Sequence, residues 1–161
     1  MPVRNIKGFT LIELIVVIAI AGILVAIGVP SFTNLTKDSR IRSEANGLMG
    51  ALAYARTEAI RRGNTVHFGR RNGTDMSGGA VVWIDADGDN SWDAGEEIRL
   101  WEPFKTTIAV TTANTYLSFN SIGMANATAD FDICDNRTGE TGRTLSLLVS
   151  GVSTLTNLAC T

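Results

Sequence analysis

From Phe9 to Val29 only Thr10 and Glu13 are neither apolar nor glycine. No other stretch of the 161 residues limits the fold as strongly. As a helix this run is about 32 Å long, enough to cross a hydrocarbon core of about 30 Å. Arg4 and Lys7 precede it, and apart from Glu13 the first acidic residue is Asp38, so the positive-inside rule puts the N-terminus in the cytoplasm and the rest of the chain across the membrane. A secretory signal would be shorter and would end in a small-x-small cleavage site. A plain single-span anchor accounts for every residue of the run except Glu13. A carboxylate in a membrane helix is expensive unless it finds a cation, and the run supplies none. A cut between Gly8 and Phe9 would create one: the new α-amino group of Phe9, within a turn of Glu13 in the same chain or presented by a neighbour.

The residues "GFTLIEL", Gly8 to Leu14, resemble the class III signal of type IV prepilins: a short basic leader ending in Gly, a Phe, and a Glu four positions after it. The resemblance implies that a prepilin peptidase cleaves after Gly8 and methylates Phe9, and that Glu13 docks the helix into a growing filament. Beyond Pro30 the helical pattern persists in amphipathic form. Ile41, Ala45, Leu48, Leu52, Ala55 and Ala59 recur at spacings of three and four, with charged residues on other faces. Gly28 and Pro30 at the junction predict a kink, because proline removes a backbone donor and crowds the preceding turn. Gly63 and Asn64 offer the stop.

From Thr65 the pattern changes to short runs, "TVHF", "AVVWI", "EIRLW", "YLSF", "FDIC" and "RTLSLLV", separated by Gly- and Asp-rich clusters. Antiparallel strands on one helix predict an α+β fold. The expected organisation is a leader at 1–8, a transmembrane and assembly helix at 9–29, its amphipathic half at 30–62 and a β-rich head at 63–161. Overall charge is −2, from 14 basic and 16 acidic side chains. That balance does not announce a nucleic-acid binder. Cys134 and Cys160 form an even pair behind an export-type N-terminus, which favours a disulfide over two buried thiols.

Little in the chain suggests catalysis. His67 is the only histidine, and no triad, zinc-type spacing or phosphate loop accompanies it. Asp85, Asp87, Asp89, Asp93 and Glu96 occupy the first, third, fifth, ninth and twelfth positions of "DADGDNSWDAGE". That is the spacing of an EF-hand calcium loop, with Asn90 in place of the usual sixth-position glycine. The stretch reads as a calcium site or as an acidic hairpin connection. Arg61, Arg62, His67, Arg70 and Arg71 form a basic cluster in sequence, read as a solvated face or subunit contact.

"AVVWIDADGDNSWDAGEEIRLW" followed by "FDICDNRTGETGRTLSLLVSGVSTL" resembles the GspH/FimT group of minor pilins and pseudopilins, and within it FimU-like minor pilins. The resemblance implies the type IV pilin fold and a non-enzymatic subunit that primes assembly of a type IV pilus and sits at or near its tip. It also implies storage in the inner membrane with a periplasmic head, and other minor and major pilins as partners. No cofactor is expected other than calcium at the acidic loop, and a Cys134–Cys160 bridge would tie the C-terminal segment to the antiparallel sheet. The alternatives are a type II secretion pseudopilin, a calcium-binding pilin head and a FimT-like DNA-uptake pilin. For the latter, "SGVST" at 150–154 lacks the arginines a DNA-binding motif would place there, leaving only Arg70, Arg71 and Arg143 as weak candidates.

Overall fold

The structure is a computed structural model that describes residues 9–71, 76–104 and 107–161. The expected leader, Gly8 included, lies outside the described residues. One helix, α1, runs from Leu11 to Arg62. The strands are β1 (Val66–Arg70), β2 (Ala80–Trp83), β3 (Glu97–Leu100), β4 (Ile108–Thr111), β5 (Tyr116–Phe119), β6 (Ala129–Asp135), β7 (Thr141–Leu147) and β8 (Ser153–Ala159). A 3-10 turn, Met76–Gly78, precedes β2. The chain divides into two compact units, one ending at Lys37 and one spanning Asp38–Thr161.

In the first unit every described residue up to Leu35 is exposed. Helical assignment continues unbroken through Gly28 and Pro30. Pro30 offers no N–H to the Ala26 carbonyl. The hydroxyls of Thr33 and Thr36 donate back to the carbonyls of Pro30 and Phe32, at 2.8 and 2.9 Å. Such back-bonding favours helix bending.

In the second unit α1 buries one stripe, and all six apolar residues expected from the spacing lie on it. The helix ends in a Schellman motif: Gly63 takes a φ of 64°, its N–H donates to the Ile60 carbonyl, and Asn64 N–H donates to the Ala59 carbonyl. Glu58 sits on the buried stripe, held by Arg61 at 2.6 Å and Arg62 at 2.7 Å. Those guanidiniums, Arg61 first, hold its carboxyl below the usual range.

The β part is two four-stranded sheets, ordered β3-β2-β1-β5 and β4-β6-β7-β8, with antiparallel pairing throughout. The antiparallel β head expected from the sequence is thus built as two sheets. Two of the eight strands, β4 and β8, are absent from the six apolar runs legible in the sequence. Phe68 of the first sheet meets Phe131 of the second edge to face at 6.3 Å, so both sheets and the helix share one core. Cys134 and Cys160 are joined as expected. Gly142 makes room for the bridge, because a Cβ there would collide with the Cys160 sulfur and the Ile133 carbonyl.

Candidate assembly site

Thr10 immediately precedes α1, and Glu13 lies in its first turn. The Thr10 N–H and hydroxyl donate to Glu13 Oε2 at 2.8 and 2.9 Å, while Glu13 N–H donates to Thr10 Oγ1 at 3.3 Å. This is a capping box, in which the first turn's orphan donors are satisfied reciprocally. Sequence reasoning sought only a cation for Glu13 and missed this neutral partner, although the pattern T-x-x-E at 10–13 announces it. The cap fixes the carboxylate in the first turn of the helix, four positions after Phe9, which is almost fully exposed. From there the apolar side chains of Leu11 to Val29 present a continuous surface that water would not tolerate. The helix is long and apolar enough to cross a membrane.

On the head, Arg137 gathers three carboxylates, Asp38 at 2.7 Å, Asp135 at 2.8 Å and Glu140 at 2.9 Å. It thereby ties the helix at Asp38 to the β6–β7 turn. Spacing gave no hint of this centre, since Asp38 and Arg137 lie far apart in the chain. The Arg137 guanidinium lowers the Asp38 carboxyl below its ordinary value.

The remaining residues singled out in the sequence fall in separate places. Asp85, Asp87 and Asp89 each turn one carboxylate oxygen to a common locus, within 4.8 Å of one another. Asp93 and Glu96 meet each other instead, through an N–H to Oε2 bond of 3.2 Å. The carboxylates also cap their own loop. Asp85 accepts the amides of Gly88 and Asn90 at 2.7 and 3.0 Å, Asp89 accepts Ser91 at 2.6 Å, and Glu96 accepts Ala86 at 2.7 Å. Asn90 adopts a φ of 62°, the left-handed turn that a glycine would supply in an EF-hand. The sequence cluster of cations is not one patch. Arg61 and Arg62 serve Glu58, and Arg71 pairs with Glu102 at 3.3 Å. His67 is buried on the outer face of β1 between Trp83 and Tyr116, at ring distances of 5.2 and 5.7 Å. Burial pushes its imidazole below the usual value, against the pull of Asp85 and Glu96. Arg70 and Arg71 border a cleft with Trp83 and Trp92, whereas Arg143 on β7 binds Asn157 and borders a different cavity beside Arg42.

A capped helix whose apolar stretch carries its one acid at the tip, continuous with a disulfide-bonded α+β head, defines a type IV pilin-like subunit. Comparison with known proteins agrees. A family model described as type II transport protein GspH matches residues 44–152, and one described as the prokaryotic N-terminal methylation motif matches residues 3–29. The chain belongs to the GspH family of pilin-like proteins. Pilin-like protein PilA1 of Thermus thermophilus is 36% identical over 93 residues, 56% of each chain. The type IV narrow pilus major component PilA5 of the same organism is 48% identical over 56 residues, 33% of this chain and 48% of PilA5. The chain thus matches about half the length of these curated relatives. A crystal structure of the type IV minor pilin FimU from Pseudomonas aeruginosa shares the fold, with a TM-score of 0.65 at 24% identity, covering 76% of this chain and 92% of that one. The apolar helix is consistent with anchoring in a membrane.

Proposed function

We propose that this chain is a minor pilin that primes assembly of a type IV pilus and sits at or near its tip. The observation that carries the reading is the fully exposed apolar helix with Glu13 fixed at its start, joined to a head of the FimU fold. Before assembly the helix is held in the inner membrane, with the head in the periplasm. In the filament the same surface packs against neighbouring helices, so leaving lipid is offset by packing. Glu13 then sets the register by facing the methylated Phe9 amine of an adjoining subunit, a pairing that neutralises both groups in an apolar bundle.

In-frame deletion with plasmid complementation tests this. Loss of the gene should reduce surface pili at least tenfold while the major pilin persists in the membrane and protein export is unaffected. The GspH family description supports a second reading, a type II secretion pseudopilin. Normal piliation with lost export would establish that reading in place of the first.

A further inference from the structure

Two four-stranded sheets have four edge strands, and among the described residues three are guarded. β3 carries Glu97 and Arg99. β5 is covered by Asn126, whose N–H donates to the Ser118 carbonyl at 2.9 Å and whose Oδ1 accepts the Ser118 N–H at 2.9 Å. β4 is met by Ser77, whose hydroxyl oxygen accepts the Val110 N–H at 3.2 Å. β8 differs from all three. It pairs with β7 on one side only, and its seven residues include no proline, no charge and no register shift. No residue from Thr144 to Thr161 is charged. Natural edge strands usually carry such guards against pairing with other chains, so a bare one is a ready template for a strand of another chain.

The ladder shows which backbone groups are free. Leu148 N–H donates to the Val152 carbonyl at 2.9 Å, and Cys160 N–H donates to the Glu140 carbonyl at 2.9 Å. In the register that sets Thr144 opposite Thr156, the hydrogen-bonded pairs therefore fall on even-numbered residues of β8. The N–H and C=O groups of Ser153, Leu155, Asn157 and Ala159 point away from β7. At the start of the strand Leu148, Val149 and Val152 are exposed, next to Ile122 and Met124 of a neighbouring turn that is tied to Val149 by the Ala125 N–H at 2.8 Å. Asn120 locks that turn by accepting the amides of Ile122 and Met124 at 3.1 and 2.9 Å. Ile122 is thus held out to solvent, 70% exposed, on a support with little freedom left to lose on binding.

We propose that the free edge of β8 takes up an extended, uncharged segment of a neighbouring pilin-like subunit, adding a fifth strand to this sheet while the adjoining apolar turn seats that segment's side chains. The inference rests on the assembly reading above, and it names the surface by which this subunit meets the next. A second copy fits less well. Antiparallel pairing of β8 with itself needs a two-fold axis perpendicular to the sheet, which reverses the helix lying along it from Ile41 to Ala59. Two chains entering from one membrane cannot be reversed in that way.

The test is photo-crosslinking of the full-length protein in cells, with a photo-reactive residue replacing exposed Thr156. Asn157→Pro removes an outward N–H without touching the β7 ladder, and Asn157→Ala loses the contact with Arg143 but keeps the edge. Ala159→Pro is a second outward block, used if Asn157→Pro fails to form the Cys134–Cys160 bridge on a non-reducing gel. A crosslink to another pilin-like subunit, kept in Asn157→Ala and reduced at least tenfold in either proline variant, is expected. A crosslink between two copies of this chain, an absent crosslink, or an equal yield in a bridged proline variant would overturn the proposal. A crosslink to a subunit of the secretion machine would uphold the edge while contradicting the pilus reading.

Discussion

Arg137 and Glu13 illustrate what a single side chain decides here. Asp135 is almost wholly buried beside Arg137, so Arg137→Met would leave a buried carboxylate without its partner. That change should destabilise the head by about 3 kcal/mol, read as a lowered chemical-denaturation midpoint of the detergent-solubilised protein. The same centre sets an acid limit. Arg137 depresses the Asp38 carboxyl below its ordinary 3.8, so its stabilisation is fully present above that pH and is lost as pH falls through the lower folded value. Thermal melts should therefore show Tm dropping below about pH 4, with a shallower drop in Asp38→Asn. Of these two residues only Glu13 was legible in the sequence, because it is an anomaly in an apolar run. Arg137 stands among ordinary surface-type residues, and its partners at Asp38 and Asp135 are brought together only by folding.

Among the elements, the helix was the most readable. Its apolar spacing and its stop at Gly63 follow from local chemistry within a few residues, and so does the Thr10 cap that the search for a cation passed over. β4 and β8 were not readable, for different reasons. β4, "IAVT", is short, and Ala109 and Thr111 dilute its apolar content. β8, "STLTNLA", is mostly exposed because it is an edge, so the alternation of a half-buried strand never develops. The division into two sheets escapes sequence reading altogether, since strand order depends on contacts distant in the chain. The disulfide fastens this C-terminal strand. Closing a loop of 26 residues should contribute about 3.5 kcal/mol by constraining the unfolded chain. Gly142→Ala should forfeit much of that, because its methyl would occupy the space of the Cys160 sulfur. Thiol labelling under denaturing conditions should then find free cysteines in Gly142→Ala and none in the wild type.

At the scale of the molecule, the chain combines a segment that water rejects with a head that folds around its own core. Every apolar side chain from Leu11 to Val29 is exposed, so the chain requires lipid or other helices around that segment. Those are the two environments the proposed function assigns to it in turn. Under that proposal Glu13 is the group for which they differ most, costly in lipid and paired in the filament. Glu13→Ala should therefore enter the membrane as the wild type does, while its content in sheared filaments falls at least tenfold. The most direct measurement is the intact mass of this protein in the sheared surface fraction. The account predicts a chain that begins at N-methylated Phe9 with its disulfide closed, present in the wild type and depleted in Glu13→Ala. A chain still carrying residues 1–8 in that fraction, or Glu13→Ala incorporated at the wild-type level, would contradict it.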